Sequence, residues 1–260
     1  MSAPDMLSTR PQAETGLAEL LSGAYQTQSS VAVPATQAIA DADQAYAVQR
    51  DFLSRVSIHT GGWKIGAKSS DGPIQGSPLP LDGIYQNNAV LNKKHFPILG
   101  LELEIAFSFD RDFTAADAAL SDVDIMQHLH TMQASVELVS SRLAGWPEVG
   151  KLLQLADLQN HGALVTGDPV VYDADFPFLN PRVSFRIADN EIFNGKGSNP
   201  AGDPRRLLPW LVRHCAAQGL TLASGTTITT GSYTGVHFPL EAGAVRGKVQ
   251  GLPPIQFQLA

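Results

Sequence analysis

Residues 100–107 read Gly100-Leu101-Glu102-Leu103-Glu104-Ile105-Ala106-Phe107, and their alternation of Leu, Glu, Leu, Glu, Ile is a strand period. It sets Glu102 and Glu104 on one face of a sheet and Leu101, Leu103 and Ile105 on the other. A second apolar segment, Ser135-Val136-Glu137-Leu138-Val139, carries one more carboxylate. Two carboxylates this close repel unless both are solvated, one is protonated, or a cation lies between them. Three hard oxygen donors converging on one point would suit Mg²⁺ or Mn²⁺. Spacing alone favours a plainer assignment, because E-x-E is common. In that assignment Glu102 and Glu104 line the wet face of an edge strand, and Glu137 lies on a helix surface.

The 260 residues suffice for one large domain or two small ones. Hydrophobic residues at 43% and charged residues at 17% can fill an ordinary globular core. A net charge of −7 argues against nucleic acid and anionic membrane as main partners, while small anions stay open because a local Lys or metal overrides the global field. The single Cys215 excludes an internal disulfide and zinc-finger spacing, which fits a reducing cytoplasm. Residues 1–5 show no basic stretch followed by an apolar run, so no signal peptide is expected. No apolar stretch approaches the roughly 20 residues that span a bilayer.

Leu17, Leu20 and Leu21 predict a helix over residues 15–25. Residues 29–38, small and interrupted by Pro34, read as a linker, and residues 41–56 as a second helix. These segments predict an N-terminal helical region over residues 1–60. Beyond it, residues 61–260 form a β-rich domain, with short apolar runs at 63–67, 83–85, 101–109, 163–165, 169–172, 182–187, 226–230, 244–249 and 254–259. Two helices interrupt the strands. One covers 124–142, its first half open to a loop assignment. The other covers 204–217, with Asp203-Pro204 as N-cap and N1 and Gly219 as its stop. Strands in blocks with intervening helices indicate an α+β class.

Four segments occur in one order: Gly62-Trp63-Lys64-Ile65-Gly66, the Leu101–Phe107 strand, Val136-Glu137-Leu138-Val139-Ser140-Ser141-Arg142, and Thr230-Gly231-Ser232-Tyr233-Thr234-Gly235. From about Ala45 to the C-terminus they resemble the hydratase/decarboxylase branch of the fumarylacetoacetate hydrolase superfamily. That branch holds 2-oxopent-4-enoate hydratases and 4-oxalocrotonate decarboxylases of aromatic meta-cleavage catabolism. The resemblance implies a mixed β-roll with the metal in its mouth, under an N-terminal helical cap. It also implies a metal-dependent lyase. The expected reaction is hydration of a 2-hydroxy-2,4-dienoate to a 4-hydroxy-2-oxo acid, with 4-oxalocrotonate-type decarboxylation as the alternative. An acylpyruvate C–C hydrolase lacks a visible water-activating His/Glu pair. A non-catalytic partner subunit fits poorly with intact ligands. A homo-oligomer, or association with a partner enzyme of the pathway, is expected by analogy.

Site residues follow from the same resemblance. Glu102, Glu104 and Glu137 would hold Mg²⁺ or Mn²⁺. Lys64, which in an apolar strand needs a carboxylate partner or snorkels from an edge, takes the active-site role of holding a substrate oxygen or moving a proton. Asp157 matches the superfamily's Ala-Asp pair and is expected as a catalytic residue that moves protons with Lys64 or supports a ligand, a water or Lys64, with an Asx turn nearly as good a reading. Ser232 and Thr234, between Gly231 and Gly235, are expected to bind substrate. Lys68 reads as exposed and His161 as structural. Asn194-Gly195-Lys196-Gly197-Ser198 lacks Walker spacing and reads as a mobile loop at the substrate mouth. No G-x-S-x-G elbow supports a serine hydrolase.

Overall fold

The computed structural model describes residues 10–260; residues 1–5, read above as lacking a leader, lie outside them. Two helices come first, α1 (Arg10–Gln26) and α2 (Ala42–Val56). Asp41 caps α2 by accepting the Gln44 N–H at 2.9 Å, and Ser57 ends it in the left-handed region at φ 56°. There follow β1 (Thr60–Ala67), β2 (Ile74–Pro80), β3 (Ile84–Gln86), β4 (Val90–Leu91), β5 (Gly100–Phe109), α3 (Asp122–Met126), β6 (Leu129–Val139), α4 (Lys151–Ala156), β7 (His161–Thr166) and β8 (Val170–Val171). The chain closes with β9 (Arg182–Ile187), β10 (Asn190–Lys196), α5 (Leu207–Ala217), β11 (Thr227–Ser232), β12 (Gly243–Val249) and β13 (Ile255–Leu259).

The strands form two sheets. The larger runs β2-β1-β11-β5-β6-β7-β3, with β8 on the flank of β6; the smaller runs β10-β9-β12-β13-β4. Leu101, Leu103, Ile105 and Phe107 of β5 are buried in the core between the sheets, with Val136, Phe185 and Val245. A second apolar cluster joins α1, α2 and α4 through Leu17, Leu21, Val48, Phe52 and Leu155. Among the described residues no helix is long and apolar enough to cross a membrane.

Three expectations need correction. Residues 124–142 are not a helix: a five-residue helix, α3, is followed by the eleven-residue strand β6. Met132, Val136 and Val139 fit a helical spacing, but Met132, Ala134, Val136 and Leu138 also alternate with Gln133, Ser135 and Glu137. Pairing on both sides, with β5 and β7, selects the strand. The stretch 194–198 is not a free loop, because Asn194, Gly195 and Lys196 pair with β9. Residues 29–38 are not a bare linker: Val31 bridges Leu143, and residues 35–37 form a 3₁₀ turn.

Candidate active site and metal centre

The site spans five consecutive strands in the middle of the larger sheet. Period two puts Glu102 and Glu104 on the same face of β5. The antiparallel register then sets Glu137 of β6 directly opposite Glu102, and Ser135 opposite Glu104. One carboxylate oxygen from each glutamate lies within 4.8 Å of the other two. Glu104 and Glu137 are buried, and Glu102 is half-buried.

Like charges directly opposite on adjacent strands destabilise a sheet. The protonation balance reflects that. Burial, then the neighbouring carboxylates, push Glu102 up to about 7 and Glu104 up to about 8. Burial also opposes ionisation of Glu137, but Lys64 and His161 outweigh it and hold that carboxyl below its ordinary range. Lys64 of β1 donates to Glu137 Oε1 at 2.5 Å and to the Gln159 carbonyl at 3.1 Å. Its ammonium is held above the ordinary lysine range: burial opposes the charge, and Glu137, Glu102 and Glu104 more than restore it. Lys64 is therefore a charged hydrogen-bond donor here, not a neutral base. A divalent cation would neutralise the same carboxylates and move it back.

The remaining carboxylate atoms test whether a cation fits. Glu104 Oε2 is taken by the Thr229 hydroxyl and by the Gly231 N–H at 3.0 Å. Gly231 reaches it with φ +92°, which favours glycine. Glu137 Oε1 is taken by Lys64 and His161, whereas Glu137 Oε2 is buried with no hydrogen-bond partner among the described residues. A buried, unpaired carboxylate oxygen beside two more carboxylates is costly unless a cation meets it. Three such hard donors suit Mg²⁺ or Mn²⁺, so the residues fit the group.

Beyond the glutamates, Lys64, Ile65, Ala67, Gln159, Asn199 and Ser232 line a cleft of about 220 Å³. The Ser232 hydroxyl accepts from Thr234 N at 3.2 Å and donates to the Gly235 carbonyl at 3.1 Å. Thr234 faces away from this lining: its hydroxyl accepts from Leu103 N at 3.4 Å and donates to the Gly235 carbonyl, holding the turn against β5. Lys68 is exposed outside the cleft.

Asp157 lies away from the cleft, contacting neither Lys64 nor the carboxylates. It accepts from Arg142 Nε, from Arg142 N at 2.9 Å and from Ser141 Oγ at 3.0 Å. Burial pushes its carboxyl up, against the pull of Arg142. The guanidinium also donates to the Asp157 and His161 carbonyls, each at 2.9 Å. Between those carbonyls Leu158, Gln159 and Asn160 all sit in the left-handed region, at φ 49°, 52° and 60°. Each such residue costs on the order of 1 kcal/mol without a glycine. The Asp157–Arg142 pair thus clamps both ends of a strained turn. The turn delivers the Gln159 carbonyl to Lys64 and the His161 ring to Glu137.

His161, read from the sequence as structural, stands beside the carboxylate set. Its Nδ1 lies 3.1 Å from Glu137 Oε1, and it is buried at 1% exposure. Gln159, Asn199 and Thr229 also stand at the site without a signal in the sequence: Gln159 meets Lys64 through its carbonyl, Thr229 meets Glu104 through its hydroxyl, and the Asn199 amide donates to the Thr230 and Gly231 carbonyls.

No family model matches the sequence. Solved structures do. The chain is similar to 4-oxalocrotonate decarboxylase from Pseudomonas putida G7, complexed with magnesium and adipate: TM-score 0.81 and 17% identity, over 96% of this chain and 98% of that one. It is similar to 2-hydroxyhepta-2,4-diene-1,7-dioate isomerase from Mycobacterium marinum at TM-score 0.58 and 13% identity, over 78% of this chain and 75% of that one. It is also similar to fumarylpyruvate hydrolase from Pseudomonas aeruginosa, in complex with Mn²⁺ and pyruvate, at TM-score 0.55 and 11% identity, over 76% of this chain and 88% of that one. These structural neighbours are members of the fumarylacetoacetate hydrolase superfamily, and this chain has their fold.

Proposed function

We propose that the chain is a divalent-metal-dependent lyase of the hydratase/decarboxylase branch, acting on a small 2-oxo or 2-hydroxydienoic acid. The observation that carries this reading is the converging carboxylate set of Glu102, Glu104 and Glu137 at the wall of a cleft that also holds Lys64. The mixed β-roll, its N-terminal helical cap and a division near residue 60 belong to the same reading. Glu102, Glu104 and Glu137 would hold Mg²⁺ or Mn²⁺, which would supply a Lewis acid that stabilises negative charge on the substrate's oxygens.

The chain's own residues do the rest. Lys64, aimed by the Gln159 carbonyl, places positive charge where negative charge grows on the substrate oxygen, and it offers a proton. Thr229 and Gly231 fix Glu104. Ser232 and Asn199 present neutral polar groups, and Ile65, Ala67 and Pro200 line the cleft without charge.

Decarboxylation of a 4-oxalocrotonate-type acid has the more direct support. The likeness to the decarboxylase covers 96% of this chain, against 76% and 78% for the hydrolase and isomerase above. In that reaction the C–C bond to the distal carboxylate breaks, its electrons move through the conjugated system to the 2-oxygen, CO₂ leaves, and a proton returns to carbon. Neutral surroundings favour CO₂ over the carboxylate it leaves from. Hydration of a 2-hydroxy-2,4-dienoate is the second reading. Lys64 is the sole cation among the described residues that line the cleft, and a monocarboxylate with a neutral tail suits that lining.

The test is a substrate panel of 4-oxalocrotonate, 2-hydroxy-2,4-dienoates and an acylpyruvate, with Mg²⁺ or Mn²⁺, following CO₂ release and ultraviolet absorbance. The expected result is turnover of a dienoate or oxalocrotonate that chelator abolishes and the metal restores. CO₂ release marks decarboxylation; loss of the diene chromophore without CO₂ marks hydration. Turnover that persists in chelator, or of the acylpyruvate alone, would sink the proposal.

A further inference from the structure

We propose that His161 is a positioning residue of the cation site: its Nδ1–H, together with the Lys64 ammonium, occupies Oε1 of Glu137 and leaves Oε2 as the oxygen that meets a divalent cation. This rests on the metal reading above.

Three observations meet at this residue. Glu137 is opposite Glu102 across the β5–β6 pair, so the direction of its two oxygens decides whether the three glutamates converge. Both donors that touch it, Lys64 at 2.5 Å and His161 at 3.1 Å, touch the same oxygen. Two donors on one oxygen fix the carboxylate's rotation as well as its place. The other oxygen is buried and has no partner among the described residues.

The imidazole is also specified. An ionised carboxylate only accepts hydrogen bonds, so Nδ1 must carry a proton to bind it. Nε2 is buried with no partner among the described residues. Protonating Nε2 would bury an N–H donor with nothing to receive it, which costs more than a bare lone pair. The geometry therefore assigns the proton to Nδ1.

Finally, the ring is held by its backbone. His161 opens β7 immediately after the left-handed turn 158–160, and its own carbonyl accepts from Arg142 at 2.9 Å. A histidine that merely filled space between β6 and β7 would not need its entry to the strand clamped. Removing a group that holds a ligating side chain in this way typically changes metal affinity by about 10- to 100-fold.

Calorimetric titration of Mn²⁺ into the full chain tests this, comparing the parent with His161→Ala, His161→Asn and His161→Gln, with thermal melts of the same samples. Asn carries an amide N–H at the reach of Nδ1, and Gln carries one at the reach of Nε2. The expected result is Asn binding Mn²⁺ close to the parent, with Ala and Gln weaker by about 10-fold or more. Should Ala fail to fold, the Asn and Gln pair decides. Gln and Ala binding as tightly as the parent would overturn the positioning role and leave the metal site standing. A parent that binds no Mn²⁺ would instead bring down the metal reading, and this role with it. Nitrogen-15 spectra of the histidine-labelled parent give an independent readout without metal. They should show His161 protonated on Nδ1, and an Nε2–H tautomer would overturn the proposal.

Discussion

Lys64 shows what one side chain does in this site and how it is tested. Its side chain is 14% exposed, its ammonium is spent on Glu137 and the Gln159 carbonyl, and it lines the cleft. Lys64→Met retains most of the stem volume and removes the charge. It should cut kcat/KM by on the order of 10²-fold or more, as for a lost proton-transfer or charge-stabilising group. It should leave cation binding within a few-fold of the parent, because the lost ammonium both repelled a cation and helped hold Glu137 Oε1, and His161 still holds that oxygen. Rates within a few-fold of the parent, with cation bound, would remove Lys64 from the mechanism. Lys64 and the three glutamates are picked out by the resemblance, since spacing alone favours a wet edge strand for Glu102 and Glu104 and a helix surface for Glu137, and leaves Lys64 open between snorkelling and pairing. His161 and Gln159 are not legible. Leu158-Gln159-Asn160 contains no glycine, so nothing in the letters announces a left-handed turn. The turn exists because Arg142 and Asp157, fifteen residues apart, clamp it. Asp157 was visible as a residue of interest, but its partner is not visible in the letters.

At the scale of elements, β5 puts two carboxylates where its neighbour puts a third, and pH should report the strain. Glu102 and Glu104 titrate near 7 and 8 in the fold, against an ordinary 4.5. The folded chain therefore holds more protons there than the unfolded chain, and stability falls as pH rises toward 8. His161 and His214 oppose this below their ordinary 6.5. Burial lowers both, His214 to about 4, so the unfolded chain takes up their protons first. The two effects offset between about 4.5 and 6.5, and the carboxylates prevail above that. In chelator, the melting temperature should decline from pH 6.5 to 8. Mg²⁺ or Mn²⁺ should reduce the decline, as should Glu104→Gln. A melting temperature that is level or rises over that interval would contradict the carboxylate arrangement. The strand that carries Glu102 and Glu104 is legible because Leu101–Ile105 offers one period only. The strand that carries Glu137 is ambiguous in sequence, since Met132 and Val136 satisfy both a helical and a strand period. Hydrogen bonding to β5 and β7 resolves it, and no local preference could.

Across the whole molecule, the helical cluster and the sheets meet at the site. Gln49 of α2 donates to the Leu155 carbonyl of α4 at 2.6 Å and to Ser77 of β2 at 2.9 Å. Trp210 of α5 packs against both apolar clusters. Since α4 leads directly into the clamped turn, the N-terminal helices help set where Gln159 and His161 stand. Assembly is the remaining question at this scale. The resemblance leads us to propose a homo-oligomer, and the segment after β11 offers a contact. Val236, Phe238 and Leu240 are 43%, 46% and 94% exposed within five residues. The loop is not slack: Lys93 Nζ donates to the Pro239 and Leu240 carbonyls at 3.0 and 2.8 Å, and Phe238 packs on Trp146 with ring centroids 5.8 Å apart. An apolar stretch held outward at a fixed angle is the kind of surface that a second copy covers. Sedimentation at micromolar concentration should give a species heavier than the 27.7 kDa chain, and Leu240→Glu should shift it toward that mass. A parent that sediments as a single 27.7 kDa species would refute the assembly. An oligomer indifferent to Leu240→Glu would move the contact away from this loop, because a carboxylate buried in an apolar interface without a partner costs several kcal/mol.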